Sequence, residues 1–139
     1  MRRRLGRTAL QLRTILLQAL LAAALWAAWL GWDQHRDVHP DGTTTGPYEA
    51  WQVIGLVLTL LVPLCWSASR QDIVGPVAGI TAGLTVAAFY DWSDDASGLF
   101  VIGVATIMVG SLVTTSAIAF LIASLQRNRA GRGPRGGAG

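Results

Sequence analysis

The sequence has one cysteine, no lysine and few charged residues of any kind. The single thiol, Cys65, excludes an intramolecular disulfide and any metal or redox site built from cysteines of one chain. Charged residues make up 14% of the 139 residues, against about 25% in soluble domains. All eleven basic residues are arginine, a bias that, with abundant Ala and Gly, is typical of a GC-rich bacterial genome.

Charged residues are missing from four long blocks of the chain. The blocks are 19, 20, 18 and 31 residues long and fill positions 14–32, 50–69, 73–90 and 96–126. About 20 apolar residues in a helix cross the roughly 30 Å hydrocarbon core of a bilayer. Because lipid offers no hydrogen bonds to an open backbone, each block should cross as a helix. We therefore predict an all-α membrane protein, an up-down-up-down bundle with transmembrane helices at 14–32, 49–69, 73–90 and 98–126.

The arginines are segregated to one side of these four spans. Ten of the eleven precede the first span, separate the second from the third or follow the fourth, and Arg36 lies opposite. Arginine-rich segments stay in the cytoplasm, so an even number of spans places both termini inside (N-in/C-in). This predicts a cytoplasmic N-terminus at 1–13, a cytoplasmic turn at 70–72, extracytoplasmic loops at 33–48 and 91–97, and a disordered cytoplasmic tail at 127–139.

Aromatic residues mark the outer ends of the spans, where amphipathic rings prefer the headgroup level. The residues in these positions are Trp29, Trp32, Tyr48, Trp51, Tyr90 and Trp92. Trp26 lies about one turn deeper than Trp29, and we expect it to pack between helices.

Small residues recur every four positions in two of the spans. The third span has Gly75, Gly79 and Gly83, and the first has Ala19, Ala23 and Ala27. This spacing puts the three members on one helix face and lets another backbone approach closely. Two interpretations stay open: the two faces pack on each other within one chain, or one of them mediates homo-oligomerisation or docks a partner.

Individual residues in the later part of the chain predict a kink, a turn and a helix start. Pro63 removes a backbone hydrogen bond inside the second helix and predicts a kink there. The short 70–72 turn predicts that the second and third helices form an antiparallel hairpin. Ser93, followed by two aspartates, has the pattern of an N-cap and predicts the start of the fourth helix. We expect Cys65 to be a buried apolar thiol.

The first outer loop alternates acidic and histidine residues. The series is Asp33, His35, Asp37, His39 and Asp41. Imidazoles and carboxylates are metal ligands, so His35, His39 and Asp37 are the candidates for a divalent-ion site. Pro40 and Gly42 indicate a turn instead of a regular strand at this point. We predict no metal site and no cofactor.

The four uncharged blocks contain no Asp, Glu, Lys, Arg or His. Proton-coupled and ion-coupled transporters need such groups at depth. In size and topology the chain resembles small multidrug resistance transporters, which carry a membrane-embedded Glu in the first helix where this sequence has only Gln18. Thr114 to Ser116, with Phe120, resemble the Thr-rich helix of fluoride channels, whose asparagine and glycine-broken helix have no match. Neither comparison covers the motifs, and the sequence supports no family.

The polar side chains inside the spans are mainly hydroxyls and a few glutamine amides, and no nucleophile–base pair or phosphate loop accompanies them. We therefore predict a non-enzymatic protein of the bacterial plasma membrane, a structural or accessory subunit. Its predicted partners are the lipid bilayer and either a second copy or another membrane protein, with no nucleic acid expected. The alternative is a small oligomeric channel or transporter with a path lined by Ser111, Thr114 and Thr115.

Overall fold

The structure, a computed structural model, describes residues 2–32, 38–43, 48–94 and 96–133. It has four helices: α1 (Arg2–Trp29), α2 (Ala50–Ser69), α3 (Val74–Trp92) and α4 (Phe100–Gly131). All four are long and apolar enough to cross a membrane, and the described residues form no β-strand. The prediction of an all-helical protein with four helices able to span a membrane is confirmed.

Local hydrogen bonds fix where α2 and α3 begin. Before α2, the Glu49 N–H donates to the Gln52 side-chain oxygen at 2.7 Å, and Gln52 is fully buried. Before α3, the Asp72 carboxylate accepts the Gly75 N–H at 3.1 Å. Contacts of this kind supply partners for the polar groups that a helix start otherwise leaves exposed.

Helix α4 begins later than the sequence predicts. The Ser93 hydroxyl donates to the carbonyl of Tyr90 at 2.9 Å and so closes the end of α3. The N-cap prediction for Ser93 is wrong, because α4 starts at Phe100. The chain first passes Gly98, whose φ of 71° suits glycine better than any residue with a Cβ.

Both terminal helices extend into the arginine-rich segments. Helix α1 is continuous from Arg2, and α4 continues through Arg127 to Gly131. We predicted disorder from Arg127; the structure instead continues the helix over 127–131. Arg, Gln and Ala are strong helix formers, and a basic residue in the last turn complements the helix dipole. Residues 134–139 lie outside the described part of the chain.

Helix α3 is the centre of the helix packing. It packs most extensively on α1, next on α4 and least on α2. Helix α2 also contacts α1 and α4, whereas α1 and α4 do not touch within the residues described. Although the short turn at 70–72 connects α2 directly to α3, α2 is the helix on which α3 packs least. The glycine face of α3 gives α1 the closer approach.

Contacting residue pairs give the relative directions of the helices. They are Thr14–Gly75 and Ala22–Gly83 between α1 and α3, and Gln18–Ser67 and Trp29–Gly55 between α1 and α2. The first two pairs advance together along both helices, so α1 and α3 are parallel. The second two advance in opposite senses, so α1 and α2 are antiparallel.

The start of α1, the α2–α3 turn and the end of α4 lie at one end of the bundle. Thr14 contacts Gly75 there, and the Gln71 amide donates to the carbonyl of Ala123 at 3.4 Å. We call this the basic end; its described arginines are Arg3, Arg4, Arg7, Arg13, Arg70, Arg127, Arg129 and Arg132. The segregation of charge along the chain thus becomes a segregation in space.

Candidate functional site

The glycine face of α3 is filled by α1. A Cβ built on Gly79 would lie 2.6 Å from the carbonyl oxygen of Ile15 and 2.5 Å from the Cβ of Gln18. A Cβ on Gly83 would lie 2.9 Å from the Cβ of Ala22 and closer still to the carbonyl oxygen of Ala19. Side chains essentially never approach this closely, so the two backbones meet only because these positions are glycine.

The third member of the face, Gly75, lies at the edge of the same contact. A Cβ there would lie 2.6 Å from the methyl carbon of Thr14. The alanine stripe of α1 takes part unevenly: Ala19 touches α3, Ala23 is half-buried and Ala27 is exposed. The fully buried alanine of α1 is Ala22, which lies outside the predicted stripe.

A buried amide crosses from α1 to α2 beside this contact. The Gln18 Nε2 group donates to the hydroxyl oxygen of Ser67 at 3.1 Å, and both residues are buried. The Gln18 Oε1 atom and the Thr81 hydroxyl are buried and have no hydrogen-bond partner among the described residues. Such a group loses its water without compensation, so this polar cluster is incompletely satisfied.

A carboxylate and three aromatic rings meet at the opposite end of the bundle. Asp91 accepts hydrogen bonds from the Tyr48 hydroxyl and, at 3.4 Å, from the Trp26 N–H. The Trp92 N–H donates to the Tyr48 oxygen at 2.9 Å. The three ring centroids are 5.9–6.4 Å apart, so the rings pack on one another. We call Trp26, Tyr48, Asp91 and Trp92 the outer cluster.

The outer cluster ties three parts of the chain together. Trp26 comes from α1, Tyr48 precedes α2, and Asp91 and Trp92 end α3. Burial raises the pKa of the Tyr48 phenol above its ordinary value, and its hydrogen bond to Asp91 raises it further. The Trp92 N–H acts in the opposite direction, since it stabilises the phenolate. The arrangement holds the phenol neutral and donating to the carboxylate.

Sequence reasoning recognised the members of the outer cluster but not the cluster itself. The expectation that Trp26 packs between helices is confirmed, because 5% of its surface is exposed. Asp91 was assigned to an outer loop, yet it lies in the last turn of α3 and is half-buried. The sequence did contain one signal for the cluster. Tyr90 and Trp92 are two positions apart, so on a helix their side chains lie on opposite sides, and one of the two rings must face the other helices.

Two further glycines make room for indole rings. A Cβ on Gly55 would lie 2.5 Å from the ring of Trp29, and one on Gly103 would lie 2.8 Å from the ring of Trp92. These contacts join α2 to α1 and α4 to α3 at the outer end. Neither glycine belongs to a four-residue repeat, so spacing alone could not identify them.

Part of the candidate metal loop can be placed. His39 lies in an exposed turn, where its backbone N–H donates to the carbonyl of Thr43 at 2.9 Å. The Asp41 carboxylate accepts hydrogen bonds from the Thr43 hydroxyl at 2.6 Å and from the Thr43 backbone N–H at 3.0 Å. Both bonds stabilise the carboxylate and hold the pKa of Asp41 below its ordinary value. His35 and Asp37 lie outside the described residues, and among those described no three potential ligands converge.

Helix α2 continues through Pro63, which is half-buried, and the kink stays a prediction. Cys65, two residues later, is exposed. The expectation of a buried thiol is therefore wrong. Leu60, Leu64 and Ser67 form part of the buried side of α2, and Cys65 lies on the other side of the helix, facing away from the bundle.

The hydroxyl residues of α4 do not face one path in the single chain. Thr115 is buried, and its hydroxyl donates to the Ser111 carbonyl at 2.6 Å. Ser111 is half-buried and donates to the Met108 carbonyl at 3.2 Å, while Thr114 is exposed. Hydroxyls bonded to their own helix are satisfied without a neighbour or a solute.

A second row of small residues lies on the exposed side of α4. Thr106, Gly110, Thr114 and Ala117 are all exposed, and no atom of the described residues lies within 4 Å of a Cβ built on Gly110. At about 100° per residue these four positions fall within an arc of about 80°. The buried residues of α4 are on the other side of the helix: Val104, Thr115, Ala119 and Ala123. We call the exposed row the outer face of α4.

Comparison of the chain with protein-family models, with curated proteins and with solved structures found no match in any of the three.

Proposed function

We propose that this protein is a non-enzymatic subunit of the bacterial plasma membrane that pairs with a second copy of itself through the outer face of α4. The observation that carries the proposal is the difference between two rows of small residues. The row on α3 is covered by α1, whereas no residue that the structure describes covers the row on α4. Small residues four apart let helix backbones approach in a membrane, where close packing drives association.

The occupant we favour is a second copy because one face can meet itself across a two-fold axis. The row offers a glycine and two threonines, and the Thr106 hydroxyl is already bonded to the Ile102 carbonyl at 2.8 Å. Two such faces can therefore touch at Thr106 without leaving its hydroxyl unsatisfied, and Thr114 keeps a hydroxyl that can bond its own helix or the second copy. In a monomer, the same row would present only shallow side chains to lipid.

The proposed topology is an up-down-up-down bundle with both termini in the cytoplasm. Support comes from the parallel α1–α3 pair, the antiparallel α1–α2 pair and the collection of arginines at one end. Positively charged ends are retained on the cytoplasmic side. On this orientation the outer cluster lies near the extracytoplasmic surface.

Substitution of Gly110 by leucine tests the pairing. Cys65 is exposed and is the single cysteine, so one donor or one acceptor dye can be attached to each copy. Energy transfer between labelled copies in proteoliposomes should be strong for the parent protein and weak for Gly110→Leu. Val109→Leu, on a neighbouring exposed position, is the matched control and should keep the transfer. Equal transfer in the parent and Gly110→Leu would refute pairing through this face.

The second candidate is a small oligomeric channel or transporter. It is favoured by Thr106 and Thr114, which share the outer face of α4 and would line an interface between several copies. Solute flux into proteoliposomes that disappears in Thr106→Val/Thr114→Val would support this candidate. Silent vesicles containing an intact dimer would support the accessory role.

A further inference from the structure

The basic end extends beyond the thickness of a bilayer core. Helix α1 has 28 residues and α4 has 32, which makes them about 42 and 48 Å long. The hydrocarbon core is roughly 30 Å thick. When the helices cross along the bilayer normal, about two turns of α1 and about three of α4 therefore lie in or beyond the headgroup layer. Residues 3–13 of α1, and residues 127–133 at and just beyond the end of α4, are exposed throughout.

On α4, the arginines continue a row of exposed leucines. Leu121, Leu125 and Arg129 follow at intervals of four and are all exposed, and the exposed Arg132 comes directly after the helix ends. Such intervals keep side chains on one helix face. The face that meets lipid tails at Leu121 and Leu125 thus becomes basic one turn later.

Helix α1 has the same arrangement in the opposite chain direction. Arg13 precedes the exposed residues Leu17 and Leu20 by four and seven positions. Two helices that do not touch each other therefore both turn from leucine to arginine on a lipid-exposed face. Long basic side chains at such a boundary extend their charge toward the headgroups while their stems stay on apolar surface.

The protein itself supplies little negative charge at this end. The sequence places one acid there, Asp72, and its carboxylate accepts the Gly75 N–H at 3.1 Å. An exposed tryptophan marks the same level: the Arg70 guanidinium lies 4.3 Å from the centroid of the Trp66 ring. Tryptophan and arginine together are typical of the membrane interface.

We propose that the basic end binds the headgroups of anionic phospholipids through Arg13 on α1, Arg129 in the last turn of α4 and Arg132 just after it. The counterions are lipids because the arginines continue the leucine rows that already face lipid. A nucleic acid would instead engage arginines on the opposite sides of these helices, such as Arg4 and Arg127, which the leucine rows do not continue. The surface therefore selects lipids by charge, at the positions where they already contact the helices.

Spin-labelled lipids provide the test. The parent protein is reconstituted in phosphatidylcholine with a trace of spin-labelled phosphatidylglycerol or phosphatidylcholine, and the protein-bound fraction of each is measured by electron paramagnetic resonance. The parent should prefer phosphatidylglycerol. Arg13→Gln/Arg129→Gln should lower that preference, by roughly fivefold for each arginine, and Arg13→Lys/Arg129→Lys should keep it.

A matched control removes the same charge from the opposite sides of the same helices. Arg4 is nine residues from Arg13, which is about half a turn away, and Arg127 is about 200° from Arg129. Arg4→Gln/Arg127→Gln should keep most of the preference. Three results would overturn the proposal: no preference in the parent, an equal loss in both glutamine pairs, or tight binding of an RNA oligonucleotide at physiological salt that depends on Arg13 and Arg129.

Discussion

At the scale of single residues, the described polar side chains make contacts within the chain. The outer cluster joins one carboxylate to two donors, and the hydroxyls Thr106, Ser111 and Thr115 are bonded to their own helix. Sequence reasoning anticipated such self-satisfied hydroxyls because that behaviour is local to one helix. It missed the outer cluster because the meeting of Tyr48 with Asp91 depends on how separate helices pack.

The first prediction concerns the ionisation of Tyr48. The two tyrosines can be separated in a Tyr90→Phe background, where absorbance reports Tyr48 alone. Its pKa should lie above the ordinary value of about 10. Asp91→Asn should lower that pKa without restoring the ordinary value, because burial is the larger cause. A titration at the ordinary value in both proteins would contradict the geometry of the outer cluster.

The raised pKa of Tyr48 also makes the stability of the fold depend on pH in the alkaline range. A folded-state pKa raised above the unfolded value favours the protonated phenol in the folded protein. The stabilisation is complete below about pH 10 and is lost as the pH rises through the folded pKa. Thermal unfolding in detergent at increasing alkaline pH should therefore show a falling midpoint that Tyr48→Phe makes less steep.

The second prediction concerns the buried amide of Gln18. Gln18→Leu replaces a partly unsatisfied amide with an apolar side chain of similar volume, so the change in unfolding free energy should be small. The Ser67 hydroxyl that remains can bond its own helix. Ser67→Ala should destabilise more, by about 0.6 kcal/mol or above, because it leaves the whole amide buried without a partner. Reversible unfolding in mixed detergent measures both, and a larger loss in Gln18→Leu would contradict this account.

At the scale of helices, the uncharged blocks predicted the number and the approximate positions of the spans. The physics is local, since each block must satisfy its own backbone in lipid. The ends were harder to predict because they depend on specific contacts. Ser93 bonds back to Tyr90 instead of capping α4, and α4 begins only after Gly98. Which faces meet was left open because the spacing of small residues fits both a partner inside the chain and one outside it.

The third prediction contrasts two glycines on different helices. Gly83→Ala puts a methyl group against α1 and should destabilise the fold by about 1–3 kcal/mol, because the clashing atom of Ala19 is backbone. Gly110→Ala meets no atom of the chain and should leave the fold equally or slightly more stable, by up to about 1 kcal/mol. Thermal melts followed by circular dichroism compare the two. Equal effects would mean that the α3 face is not closed by α1.

At the scale of the whole molecule, the bundle has two different ends and one uncovered row of small residues. The outer cluster closes one end with aromatic and hydrogen-bonded contacts, and the basic end concentrates arginines on α1 and α4. The sequence pattern separated the two ends by charge. It could not show that α1 and α4 stay apart, since the order in which helices pack depends on which glycines let which backbones approach. That packing order is why α4 has a face left for a second copy.

Disulfide cross-linking in native membranes tests the central claim, that the outer face of α4 meets itself, most directly. In a Cys65→Ala background, one cysteine at a time replaces an exposed α4 residue, on the outer face (Thr114→Cys) or about 160° around the helix (Leu112→Cys). The account predicts that mild oxidation gives a covalent dimer from Thr114→Cys and little or none from Leu112→Cys. Equal cross-linking from both positions, or none from Thr114→Cys, would contradict it.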